Sequence, residues 1–111
     1  MNDTKIVTIS ILLNSHLAIS TDDAKKVYNF IKLSLKNNKN IIISFKGIDT
    51  VITVFPTILM TLLYKKFGVK FIENKVKFID LPEIGEELLT LIKKRLQHLE
   101  RDKNESSRTI N

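Results

Sequence analysis

The segment Asn40-Ile41-Ile42-Ile43-Ser44-Phe45 limits the folds open to this chain more than any other. Three consecutive β-branched residues are stiff at χ1 and favour an extended backbone. Because the run does not alternate with polar residues, it predicts a strand over 41–45 covered on both faces, as at the centre of an α/β sheet. Lys46-Gly47 ends it. Parallel neighbours of such a strand need crossovers of a dozen or more residues, usually helices. The flanking sequence should therefore be helical on both sides.

On the N-terminal side, Ser20-Thr21-Asp22-Asp23 is a helix start. Ser20 can cap the first-turn amides, and Asp22 and Asp23 sit at the positive end of the helix dipole. Ala24, Val27, Ile31 and Leu35 then fall on one face, beside Tyr28, with Lys25, Lys26, Lys32 and Lys36 elsewhere. Asn37-Asn38-Lys39-Asn40 should stop this helix. On the C-terminal side, Pro56 decides the reading. Deep in a helix it would cost about 3 kcal/mol, whereas in the first turn its missing N–H costs little. Thr53 as N-cap puts Pro56 at the third helical position. That helix runs to about Phe67, closed by Gly68, with Lys65 and Lys66 at its negative end.

The chain opens with Val7, Ile9 and Ile11 alternating with Thr8 and Ser10, which predicts a strand over 5–13. Asn14-Ser15-His16 reads as a turn. Leu17-Ala18-Ile19 is either a short return strand or the approach to the first helix. After Gly68, residues 69–72 read as a short strand and Glu73-Asn74-Lys75 as a turn. Val76, Phe78 and Asp80 then alternate with Lys77 and Ile79. Asp80-Leu81-Pro82-Glu83 is a second helix start, with Asp80 as cap and Glu83 at the third position. Ile84, Leu88, Leu91 or Ile92, Leu96 and Leu99 supply its buried stripe.

The order β-α-β-α-β-α predicts a single small α/β domain over residues 1–100. Its central sheet should be partly parallel (mixed), with helices packed on it through right-handed crossovers. Residues 101–111 form a polar C-terminal tail expected to be flexible.

Composition narrows the function. With 111 residues, 43% of them hydrophobic, the chain can build one core, and the absence of cysteine excludes disulfide scaffolds and thiolate metal sites. The uncharged stretches 6–21 and 50–64 are shorter than the roughly 18 apolar residues of a spanning helix, and polar residues or Pro56 interrupt them. A cytoplasmic protein without a membrane partner is expected. His16 and His98 lie far apart, the carboxylates cluster in helix first turns where the dipole accounts for them, and three glycines make no phosphate loop. No catalytic residue, metal or cofactor is expected, and the chain reads as a non-enzyme.

The net charge of +6 lies wholly in residues 1–72, which hold ten lysines and four aspartates, while residues 73–111 are balanced. This keeps a basic nucleic-acid-associated accessory protein as the alternative reading. Against it, Glu100, Asp102 and Glu105 interrupt the cluster begun by Lys93-Lys94-Arg95, and aromatic residues are few.

The stretch 46–53 stands out after these exclusions. It leaves a buried strand and arrives at a helix N-terminus, where amides and the dipole can receive an anion or an acidic side chain. Thr50 and Thr53 place hydroxyls there, with Thr57 one turn along. The plainer alternative is that Thr53 merely caps the helix and Thr57 lies on its surface.

These residues resemble the STAS-like domains, small relatives of bacterial anti-sigma-factor antagonists. Ser44-Phe45-Lys46-Gly47-Ile48 matches the family's corner after a hydrophobic strand, Thr53 falls where its loop hydroxyl is expected, and Leu63-Tyr64-Lys65-Lys66-Phe67 matches its helix end. The first helix start at 20–24 also falls where that family has one. Ser44 stands where an aspartate is common, and Ile52 replaces an acidic residue before the phosphorylatable position. The resemblance implies a bacterial, non-catalytic protein–protein module in transcription regulation. It implies a kinase-like ATPase or anti-sigma-like protein as partner, contacting Lys46, Asp49, Thr50, Thr53 and Thr57, with Thr53 or Thr50 as the phosphorylation position. A homodimer through a sheet edge or the last helix stays open.

Overall fold

The isoleucine run forms the middle strand of a three-stranded sheet in the computed structural model, which describes residues 3–82 and 85–109, with side chains as far as His98. The elements are β1 (Thr4–Thr8), α1 (Ile9–Leu13), β2 (Leu17–Ala18), α2 (Thr21–Lys36), β3 (Asn40–Ser44), β4 (Thr50–Val51), α3 (Val54–Phe67), α4 (Val69–Lys75), β5 (Val76–Ile79) and α5 (Gly85–Thr109). The sheet has the order β1-β3-β5, and β2 with β4 forms a separate two-stranded ribbon. Each of these pairings is parallel. This is the small α/β fold that the strand–helix alternation implies, with helices packed on a central sheet.

Register explains which face is buried. Val7 pairs with Ile43 and Ile43 with Phe78, while Lys5 pairs with Ile41 and Ile41 with Val76. Val7, Ile41, Ile43 and Val76 are buried, and this face meets the helices. The stripe of α2 (Ala24, Val27, Ile31 and Leu35) is buried as its periodicity predicts. Each large member is worth about 1.5–3 kcal/mol of transfer free energy. Phe45 links the layers, edge to face with Phe55 at a centroid distance of 6.3 Å and tilted against Phe78 at 6.2 Å.

The opposite face departs from expectation. Ile6, Ile42 and Lys77 share one row, and Ile6 is 64% exposed, Lys77 exposed and Ile42 only half-buried. Among the described residues, helices thus bury one face of β3, whereas on the other Ile42 is only half-buried and Ser44 is buried. A run of isoleucines reports strand propensity and cannot by itself distinguish two covered faces from one.

Three further boundaries differ. The strand expected over 5–13 stops at Thr8, and residues 9–13 make one helical turn closed by Asn14 at φ 50°. Alternation and helical spacing compete there, because Ile9, Leu12 and Leu13 are spaced i, i+3, i+4. The turn directs those three into the core while Ile11 points out. Residues 69–72 are helical, not a strand, and Glu73, Asn74 and Lys75 continue the same helix. Gly68 at φ 88° breaks α3 from α4, and Phe67 stacks on Phe71 across the break at 5.4 Å. Finally, α5 begins at Gly85 and not directly after Asp80. Asp80 sits at φ 56°, and its Oδ2 accepts a hydrogen bond from Ser44 Oγ at 2.9 Å. Glu83 and Ile84, expected in that helix start, lie outside the described residues, as does the side chain of Leu99.

Other expectations hold. Ser20 Oγ accepts from the Asp23 amide at 3.0 Å, Asn37 caps α2, and α3 spans the expected residues up to Gly68. Of the stripe expected on α5, Ile92 is buried, Leu88 and Leu96 pack partly and Leu91 is exposed, while Leu89, outside that stripe, is buried as well. Unlike these, the polar tail expected from residue 101 onward is not set apart in the backbone, since α5 runs on through it to Thr109.

Candidate functional surface

The corner after β3 is anchored from two sides. Ser10 Oγ donates to the Lys46 carbonyl at 2.8 Å, and the His16 ring Nδ1 lies 3.2 Å from the Gly47 carbonyl. Gly47 has φ 87°, a conformation an L side chain rarely adopts, and a Cβ there would sit 2.8 Å from Ser10 Oγ. From this corner the chain enters the β2–β4 ribbon. The amides of Asp49 and Thr50 donate to the His16 carbonyl at 2.8 and 3.5 Å, and the Ile52 amide donates to Ala18 at 3.2 Å. Asp49, just before β4, and Thr50, on it, are exposed where the backbone is pinned.

Thr53 precedes α3 and places Pro56 third in the helix, as its sequence position implies. Its hydroxyl makes no capping hydrogen bond. The cause is its backbone: Thr53 sits at φ −47°, ψ −35°, whereas a capping side chain needs an extended residue to reach back over the amides. Capping therefore does not account for Thr53. The anion expectation also weakens, because the Phe55 amide already donates to the Ile52 carbonyl at 2.9 Å and Pro56 has no amide proton.

The structure groups the expected residues into neighbouring subsets. Thr53 and Thr57 line a groove of about 400 Å³ between the start of α3 and α5, with Leu88, Leu91, Ile92 and Arg95 on the far wall. Asp49 and Thr50 lie on the ribbon next to His16 and Leu17. Lys46 is exposed at the corner beside Ser10. Thr57 is half-buried, and its carbonyl accepts from Thr61 Oγ1 at 2.7 Å, so it belongs to the helix as much as to the surface.

Residues that the sequence reading did not single out complete the surface. Ile52 is 49% exposed, and Val54 and Leu17 are also exposed, which puts large apolar side chains around the Thr50 and Thr53 hydroxyls. The one available signal was that Ile52 and Val54 flank Thr53 as apolar residues between elements. Leu91 and Arg95 arrive from α5, more than thirty positions away, and no local pattern could have joined them to the loop. Across the helices, Glu73 holds α5 in place: it accepts from the Tyr64 hydroxyl and from Gln97 Nε2 at 3.3 Å, and pairs with Lys93 at 3.6 Å.

A family model described as the STAS-like domain of unknown function (DUF4325) matches residues 23–86, from the first turn of α2 through the corner and α3 into the start of α5. The match takes in more than half of the chain. The chain belongs to the DUF4325 family of STAS-like domains. No curated protein and no solved structure matches it. In this DUF4325 domain the corner Ser44-Phe45-Lys46-Gly47 carries no carboxylate of its own. A carboxylate nevertheless reaches it, because Asp80 at the end of β5 bonds Ser44 Oγ, which also accepts from the Lys46 amide at 3.2 Å. Among the described residues, no group of three or more His, Cys, Asp or Glu side chains could hold a metal ion, and no helix is long and apolar enough to cross a membrane.

Proposed function

We propose that this domain is a non-catalytic regulatory module that binds a partner protein through the surface around residues 49–57. The observation that carries the reading is the exposed Ile52-Thr53-Val54 segment: two apolar side chains flank a hydroxyl without capping duty, on backbone held by the ribbon and the corner. Exposed apolar groups on a preordered backbone suit recognition, since little conformational entropy is lost on docking. Leu17 extends this patch, and the groove at Thr53 and Thr57 offers Arg95 as a charged anchor. Membership of a STAS-like family supports an interaction role in bacterial regulation, with a kinase-like ATPase or anti-sigma-like protein as the proposed partner class. Lys46, Asp49 and Thr50 form the polar rim of the contact. Phosphate on Thr53 or Thr50 would place close to two negative charges among Ile52, Val54 and Leu17, and would weaken an apolar contact by desolvation cost.

The test is affinity capture of the tagged chain from its native cells, then titration of the captured partner, once purified, against variants. Ile52→Glu and Thr53→Glu should weaken binding at least tenfold, Asp49→Lys should alter its salt dependence, and circular dichroism should show each folded. Unchanged affinity in Ile52→Glu and Thr53→Glu, with folding intact, overturns the assignment of this surface.

A further inference from the structure

The β1 strand is an outer strand of the sheet, and nothing in the described structure pairs with its far edge. Its backbone polarity can be worked out from one hydrogen bond. The Asn40 amide donates to the Asp3 carbonyl at 2.9 Å, so the backbone groups of odd-numbered residues face β3. Alternation then turns the N–H and C=O groups of Thr4, Ile6 and Thr8 outward.

Natural sheets blunt such an edge with charge, proline or a bulge. The other outer strand, β5, carries the exposed Lys77 and ends at Asp80. On β1 the outward position at mid-strand is Ile6, 64% exposed. Its one lysine, Lys5, is turned to the helix side, with Nζ 4.3 Å from the Phe30 ring centroid. Ile6 and Phe30 line one shallow groove along the strand, and Leu33 follows one turn later on α2. Phe30 is 44% and Leu33 65% exposed.

We propose that β1 is a self-association edge. Two copies pair antiparallel about a two-fold axis through Ile6, joining two three-stranded sheets into one of six strands. The register follows from the outward groups: Ile6 exchanges both backbone hydrogen bonds with its counterpart, and Thr4 does so with Thr8 of the other copy. Lys5 then lies opposite Val7 and not another lysine, so no like charges face each other across the ladder.

On the helix side, Phe30 and Leu33 of the two α2 helices meet. The flank of α2 that carries them also holds Asp23 and Lys26, which cancel, while Lys25 and Lys32 are on the opposite flank by helical phase and Lys36, three positions after Leu33, borders the patch. Lys5 and Lys36 border the contact, but Lys25 and Lys32 lie away from it, and a mainly apolar edge fits a second copy better than a strongly charged partner. One five-residue strand edge with two side chains of α2 is small beside the roughly 1,200–2,000 Å² that stable specific interfaces bury. The association should be reversible and concentration-dependent.

Sedimentation equilibrium of the full chain from about 10 μM to about 1 mM spans the affinities that so small a contact supports. Average mass should climb from 12.8 kDa towards twice that value and stop. Ile6→Pro removes only an outward donor, leaving the β1–β3 ladder intact, and should hold the chain monomeric. Leu33→Glu, at an exposed helical position, should do the same and decides the matter if Ile6→Pro fails to fold. Thr53→Glu, on the proposed partner surface, should still dimerise. A wild type that stays monomeric throughout overturns the proposal, as does a dimer that survives Leu33→Glu, or open-ended growth beyond two copies.

Discussion

Substituting Gly47 by alanine tests how the corner is held, because two separable costs meet there. Gly47 has φ 87°, and a left-handed backbone costs a non-glycine residue about 1–2 kcal/mol. The new Cβ would also fall 2.8 Å from Ser10 Oγ and 3.1 Å from Ser10 Cβ, so the hydroxyl must leave the Lys46 carbonyl it now bonds at 2.8 Å. Losing that hydrogen bond costs about 0.5–1.5 kcal/mol. Together these give about 2.5 kcal/mol, a large part of the roughly 5–15 kcal/mol by which small domains are stable. At about 4–8 °C per kcal/mol, the melting temperature should fall by about 10–20 °C.

The two costs separate in a double-mutant cycle. Ser10→Ala alone should cost about 1 kcal/mol. The double variant should be more stable than the sum of the singles predicts by about 1 kcal/mol, because the same hydrogen bond cannot be lost twice. Urea unfolding followed by circular dichroism, with m held common, measures all four corners. Strict additivity, or a Gly47→Ala cost below about 0.5 kcal/mol, would refute the account of the corner.

Three further outcomes follow from the contacts. Ser20→Ala removes the cap on the Asp23 amide and should destabilise the fold by about 1 kcal/mol, with faster hydrogen exchange in the first turn of α2. Glu73→Ala loses the contacts to Tyr64, Gln97 and Lys93 and should speed exchange in α5, whereas Glu73→Gln, keeping an acceptor for Tyr64, should lose less than half as much stability. A chain ending at residue 100 should keep its unfolding free energy within about 0.5 kcal/mol of the full chain, since we propose that the domain proper ends there; a larger loss in urea unfolding would place part of residues 101–111 in the folded unit.

The places where sequence patterns and structure diverge share a physical origin. Ser20, Pro56 and Gly68 act on their own backbone, so their effects were legible: a cap, a tolerated first-turn proline, a break. The segment after Gly68 was not, because a short apolar run such as Val69-Lys70-Phe71-Ile72 satisfies either period. What selects the helix is the stacking of Phe71 on Phe67 and the burial of Ile72, both tertiary or medium-range. Local pattern makes Asp80 a helix cap, yet Ser44, 36 positions earlier, supplies its hydrogen bond. At the candidate surface, the hydroxyls of Thr50 and Thr53 are readable from the sequence as part of a loop, but Thr50 lies on β4, paired with Leu17 of β2, and the idle hydroxyl of Thr53 follows from backbone angles.

Local chemistry alone determined that this chain would alternate strands with helices, where α2 and α3 begin and end, and which stripe α2 would bury. Those outcomes depend on side-chain entropy, capping and periodicity within a few residues. The tertiary structure decided what lies beside what: that one sheet face stays partly open, that β1 ends as a bare edge, and that Arg95 and Leu91 of α5 face Thr53 across a groove. Exposure is a relation between distant segments, and it exists only once the chain has packed.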